Sequence, residues 1–198
     1  MSNRTDSTRR LVGMSIFTAM VVVLQLFATF VKFGPFSITL ALAPIVVGAA
    51  LYGPKAGAWL GAAFGAVVLI MCIVGVDIGG AILWNVNPAV TGMLCIVKGA
   101  AAGWVSGLVY RALSGKNTTL RVVCAAICSP IVNTGIFCLS MVLFFHDTLV
   151  QWAGGSDLFY YIFIGLVGVN FLVELLVNTV LAPVIARIIK IGQKETAT

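Results

Sequence analysis

Charged side chains are too scarce in this chain to build a water-facing surface. They make up 9% of its 198 residues, against about 25% in a soluble domain. Hydrophobic residues account for 61%, and the mean hydropathy is +1.11. A soluble fold, a disordered chain and a secreted disulfide scaffold are excluded together. The class that remains is an all-α, polytopic membrane protein. A spanning helix needs about 20 apolar residues. The length therefore accommodates six transmembrane helices with short loops, and leaves no room for a separate soluble domain such as an ATPase.

The apolar runs place the spans at about 11–31, 36–51, 56–76, 89–113, 122–145 and 158–189, within a single membrane domain covering 1–198. The first run is longer than the core of a signal peptide, and no small-residue cleavage site follows it, so it reads as the first helix. The second is short and contains Pro44. Turn signals stand at Lys32-Phe33-Gly34-Pro35 and Tyr52-Gly53-Pro54-Lys55. Polar, aromatic loops follow spans three and five, at 77–88 and 146–157.

The net charge of +6 comes from basic residues that flank the runs, so it reports topology, with no nucleic acid implied. Ten of the twelve Lys and Arg residues fall on the termini and the even-numbered connections. Lys32 alone lies on an odd one, and Lys98 lies inside a span. Positive charge collects on the cytoplasmic side, so both termini are expected there. The five cysteines sit inside apolar segments without paired spacing, which argues against disulfides and zinc.

Helices in lipid associate by close backbone approach at small residues. Gly57, Gly61 and Gly65 form such a stripe on span three, and Gly99, Gly103 and Gly107 form another on span four. Ordinary packing within the chain explains both. A weaker small-residue pair, Ser15 and Ala19, lies on span one.

Polar groups at membrane depth must find partners or line a cavity. Asn170, Glu174 and Asn178 share one face of span six, span five carries Asn133 and span four carries Lys98. At ~1.5 Å per residue, Asn170 lies ~18 Å below the outer end of its span and Lys98 ~13 Å below its own. Lys98, Asn133 and Asn170 then converge in the outer half, beneath loops bearing Trp84, Asn85, Asn87, Tyr160 and Tyr161. Such a pocket suits a polar small molecule, an anionic one included, with Lys98 as counter-charge. Two bland readings stay open. The buried amides and Glu174 would serve only as hydrogen-bonding glue between helices. Lys98 would pair with Glu174, although their depths differ by ~11 Å.

Several chemistries are missing. No phosphate-binding GxxxxGK[ST] loop occurs, so the chain itself is not expected to hydrolyse ATP. The lone histidine, His146, lies in a loop, and no metalloprotease motif or nucleophilic triad is present. No cofactor or metal is expected. No internal repeat marks an inverted-repeat carrier.

Four stretches carry a family resemblance: Leu40 to Ala49 with Tyr52-Gly53-Pro54 and Gly57, then Lys98-Gly99 with Gly103, then Pro130 to Gly135, then Asn170 to Pro183. Together with size and span count, they resemble the substrate-binding S-component of energy-coupling factor (ECF) vitamin transporters. The resemblance implies a non-enzymatic subunit of the bacterial cell membrane. It implies high-affinity capture of a water-soluble vitamin or related micronutrient from outside. It also implies partnership with a coupling membrane subunit and two cytoplasmic ATPases, which hydrolyse the ATP. It places the ligand among helices four to six and the external loops, where Trp84, Asn85, Asn87, Lys98, Asn133, Tyr160, Tyr161, Asn170 and Glu174 are the candidates. Docking through small residues of helix one would use Ser15 and Ala19. Lys98 favours a carboxylate ligand, with pantothenate the first expectation. Riboflavin, folate and cobalamin stay open, since Trp84 can stack on an aromatic ring. The alternative is an accessory membrane subunit whose buried polar residues only hold helices together.

Overall fold

A computed structural model describes residues 2–30, 32–33, 36–37, 39–166 and 168–195. Its helices are α1 (Ser2–Ala28), α2 (Leu42–Tyr52), α3 (Pro54–Val74), α4 (Ile78–Val86), α5 (Pro88–Ala112), α6 (Thr118–Phe144), α7 (His146–Ala153), α8 (Leu158–Tyr160) and α9 (Gly168–Glu195). A π-helical segment, Tyr161–Leu166, precedes α9. Lys32–Phe33 (β1) and Phe36–Ser37 (β2) form a minimal antiparallel ladder, Lys32 opposite Ser37 and Phe33 opposite Phe36.

Among the described residues, four helical stretches are long and apolar enough to cross a membrane: Ser7–Ala28, Pro54–Val74, Pro88–Ala112 and Thr118–Phe144. They coincide with expected spans one, three, four and five. The second expected span differs. Its first residues turn back as the β1–β2 ladder, and only the 11 residues of α2 are helical. At about 1.5 Å per residue that helix is about 16 Å long, half a bilayer core. The expected outer loops also differ, because each contains a short helix. Asp77 starts α4 by accepting the Gly80 N–H at 2.9 Å, and Asn87 starts α5 by accepting the Val90 N–H at 3.2 Å. An acceptor at the N-cap satisfies a donor the helix leaves open. The sixth run begins with α8 and the π-helical segment before α9 carries it through 28 residues.

The α3–α5 seam is the most extensive helix contact in the molecule. Here the two glycine stripes face each other. A Cβ on Gly61 would collide with the Gly99 carbonyl oxygen, and one on Gly103 with that of Gly57. Only hydrogen fits, so the backbones touch and each helix presents a flat strip to the other. Gly53, at φ 95°, makes the bend between α2 and α3, and Pro54 then opens α3 where its missing N–H costs nothing.

The core has three apolar clusters. One joins α2, α6 and α9 around Val46, Val122, Ala126 and Ile189. A second joins α1, α2, α3 and α5 around Val21, Ile45, Leu60 and Phe64. A third joins α4, α5, α6 and α7 around Leu83, Leu94, Met141, Phe145 and Leu149. On α9, Glu174, Asn178 and Ala182 are buried while Leu172, Leu176 and Val180 are exposed. Further along, Ile185 and Ile189 are buried in the first cluster, but over residues 172–182 the inward stripe is polar or small and the outward one large and apolar. In water that polarity would be inverted, and it suits a helix with lipid outside.

Candidate functional site

A hollow of about 80 Å³ lies between the second and third clusters. Six elements reach it. Its lining includes Gln25 from α1, Phe64, Val68 and Cys72 from α3, Gly80 and Leu83 from α4, Thr91, Cys95 and Lys98 from α5, Asn133, Thr134 and Phe137 from α6, and Phe171 and Glu174 from α9. Thr39 and Asp77 complete it from the segments that precede α2 and α4.

Buried polar atoms nearly always have hydrogen-bond partners. This wall departs from that rule. Gln25 Oε1, Thr91 Oγ1, Asn133 Oδ1 and Glu174 Oε2 are all buried and have no partner among the described residues. Their side chains are 3%, 1%, 4% and 5% exposed, and each comes from a different helix. Glu174 is half satisfied, its Oε1 accepting the Thr39 backbone N–H at 3.1 Å. Asp77 is also buried, with Oδ1 committed to the Gly80 N–H. The Lys98 ammonium sits over the Phe137 ring, 5.4 Å from its centroid. A cation is held there by the negative face of the ring. Among the described residues, no carboxylate comes within 4.0 Å of it, so the alternative of a Lys98–Glu174 ion pair is not realised.

Of the residues singled out from sequence, the hollow brings together Lys98, Asn133 and Glu174. The depth difference between Lys98 and Glu174 does not keep them apart. That difference was counted as one straight helix from Leu158, whereas a turn and a π-helical segment intervene before α9. The Asn170 side chain lies outside the described residues. Trp84 is half-buried and packs toward Gly92 of α5, Asn85 is exposed, and Asn87 is occupied as a helix cap. Tyr160 is exposed, its backbone N–H bonded to Asp157, while Tyr161 packs on the third apolar cluster. These five do not line the hollow. Asn178 turns back on its own helix, its amide donating to the Glu174 carbonyl at 2.8 Å.

Sequence reasoning passed over Gln25, Thr39, Asp77, Thr91 and the phenylalanines of the wall. Gln25 carried a usable signal, since it is the lone amide in the apolar run of α1. Cys72 and Cys95 are both buried in the wall as free thiols, a position that spacing alone did not reveal.

Elsewhere, an apolar groove runs between α1 and α3, lined by Leu11, Met14, Ser15, Ala19, Val23 and Trp59 among others. The Ser15 hydroxyl donates to the Leu11 carbonyl at 3.0 Å, so that face offers no free donor.

No curated protein matches the chain. A family model described as "ECF transporter, substrate-specific component" matches residues 9–186. The multi-helix apolar architecture, the polar hollow and that match over most of the sequence converge: the chain belongs to the substrate-specific components of ECF transporters, multi-pass membrane subunits that serve the uptake of vitamins and related micronutrients.

Proposed function

We propose that this chain captures one water-soluble vitamin or related micronutrient from outside the bacterial plasma membrane and holds it in the hollow among α1, α3, α4, α5, α6 and α9. One observation carries this reading: four buried polar atoms from four helices, without a partner among the described residues, belong to side chains that line one hollow. Leaving such an atom unpartnered costs about 1–3 kcal/mol. Folding alone gives no reason to collect four of them, and a polar solute that bonds them does. The accessory-subunit reading draws support only from the Glu174–Thr39 bond, which ties α9 to the segment before α2.

In this reading the chain crosses the membrane six times with both termini cytoplasmic. The β1–β2 ladder and α2 together make the second crossing, and α8, the π-helical segment and α9 make the sixth. The chain hands its cargo to a coupling membrane subunit driven by two cytoplasmic ATPases, and docks through the Ser15 and Ala19 face of α1. An apolar groove that includes Ser15 and Ala19 supports that assignment, and α1 is only sparsely buried in the protomer.

Ligand pockets typically hold about 300–1,000 Å³, so a hollow of about 80 Å³ must widen to admit a vitamin. Asn170, Trp84, Asn85, Asn87, Tyr160 and Tyr161 then belong to the outer rim, where movement of α4 and the α7–α8 connection would bring them to the ligand. A pantothenate-like carboxylate held by Lys98 gains no support from the wall, where two carboxylates stand beside a single ammonium.

The test is native mass spectrometry of the full chain purified from cells grown in rich medium. The expected result is one small molecule bound in about one-to-one ratio, lost or weakened in Asn133→Ala. A chain that carries nothing, and binds nothing from a vitamin panel, overturns the proposal.

A further inference from the structure

Within that reading, the charge and polarity of the wall restrict what the ligand presents to it. The cavity-lining residues include two carboxylates, Asp77 and Glu174, and one cation, Lys98. Lys98 is turned onto the Phe137 ring and makes no carboxylate pair within 4.0 Å among the described residues. Glu174 is 95% buried by its 5% exposure, has given Oε1 to the Thr39 N–H, and keeps Oε2 buried and unpartnered. An amide can be turned to present its nitrogen or its oxygen, so Gln25 and Asn133 adapt to either kind of ligand. A carboxylate cannot, because when ionised it only accepts. Burying it without a partner is costly, and a cation or a pair of N–H donors is the partner that offsets the cost best. Three phenylalanine rings, Phe64, Phe137 and Phe171, line the same hollow and suit a flat or positively charged group.

We infer that the hollow selects a ligand bearing a cationic or N–H-rich nitrogen group, a protonated amine or an amino-substituted aromatic heterocycle, which engages Glu174 Oε2. This rests on the vitamin-capture reading and narrows it against simple carboxylates. Glu174 is the charge that selects, Lys98 bounds the other side of the site, and the phenylalanines flank the ring.

The test is binding of four probes to the full chain in lipid nanodiscs by titration calorimetry. Thiamine and pyridoxamine carry cationic nitrogen, while pantothenate and lipoate carry a carboxylate and neither a protonated amine nor an N–H-rich ring. The expected order places at least one nitrogen probe tenfold or more above both carboxylates. Glu174→Gln keeps an acceptor for the Thr39 N–H, so the fold is expected to survive, and it should lower nitrogen-probe affinity at least tenfold. Lys98→Met removes a charge that repels a cationic probe and should raise that affinity. Preference for a carboxylate probe, lost in Lys98→Met, overturns the inference while leaving vitamin capture intact. Full affinity for a nitrogen probe in Glu174→Gln also overturns it, since a neutral group would then suffice. Failure of all four probes overturns it too, and an empty chain in the rich-medium purification then removes the capture reading as well. The probe ranking needs no variant, so a misfolded mutant does not decide the outcome.

Discussion

Asn133 and Glu174 are both polar residues at membrane depth, yet they use their groups differently. Asn133 Oδ1 has no partner among the described residues, whereas Glu174 Oε1 holds the Thr39 N–H. Asn133→Ala should therefore leave the melting temperature of the ligand-free chain nearly unchanged. It should weaken ligand binding by about 1–3 kcal/mol, roughly five- to 150-fold in Kd. A large drop in melting temperature with unaltered affinity would assign Asn133 to helix glue. The rule that intramembrane polar groups find partners or line a cavity singled out Asn133, Lys98 and Glu174 from sequence, and all three line the hollow. It does not say how a polar group is used: the Asn178 amide nitrogen donates to its own helix while its Oδ1 has no partner among the described residues, and the Asn87 side chain caps α5. Which partner a polar group takes is decided by neighbours distant in the chain, as Glu174 and Thr39 are.

At the scale of elements, the α3–α5 seam follows from glycine spacing because four-residue repeats fall on one helical face. Gly61→Ala forces a methyl against the Gly99 carbonyl and should cost about 1–3 kcal/mol. Gly135→Ala is the control, because a Cβ there meets nothing within 4 Å. It should be neutral or raise stability by up to about 1 kcal/mol through helix propensity. Thermal melts of the two variants in one detergent check the contrast, and equal effects would deny the seam its role. The second expected span shows where periodicity fails. Residues 36–51 are apolar apart from Ser37 and Thr39, so hydropathy reads them as one element. The β1–β2 ladder ends instead at Ser37, and α2 begins only at Leu42. A turn followed by hydrophobic residues carries no period that tells a strand end from a helix start.

For the whole molecule, capture and coupling are expected to be separable. Ser15→Leu with Ala19→Leu fills the α1–α3 groove but lies away from the hollow. Ligand affinity should stay within about twofold, since independent sites are nearly additive, while co-purification with the coupling subunit should fall sharply. Loss of both would merge the two surfaces into one. Topology has its own check: reporters fused at each terminus should both score cytoplasmic, and an external reading at either end would refute the six-span arrangement. The sequence by itself determined the membrane class and four spanning helices. Hydropathy and charge scarcity are sums over residues and need no knowledge of contacts. Family membership was legible too, through motifs distributed along the chain. Only the tertiary structure decided that Gln25, Thr91, Asn133 and Glu174 turn their unpartnered atoms toward one space, and that Lys98 rests on Phe137 instead of a carboxylate. Such convergence depends on helix rotation, on the π-helical segment before α9 and on backbone contact across the glycine seam. None of these leaves a period in the order of the residues.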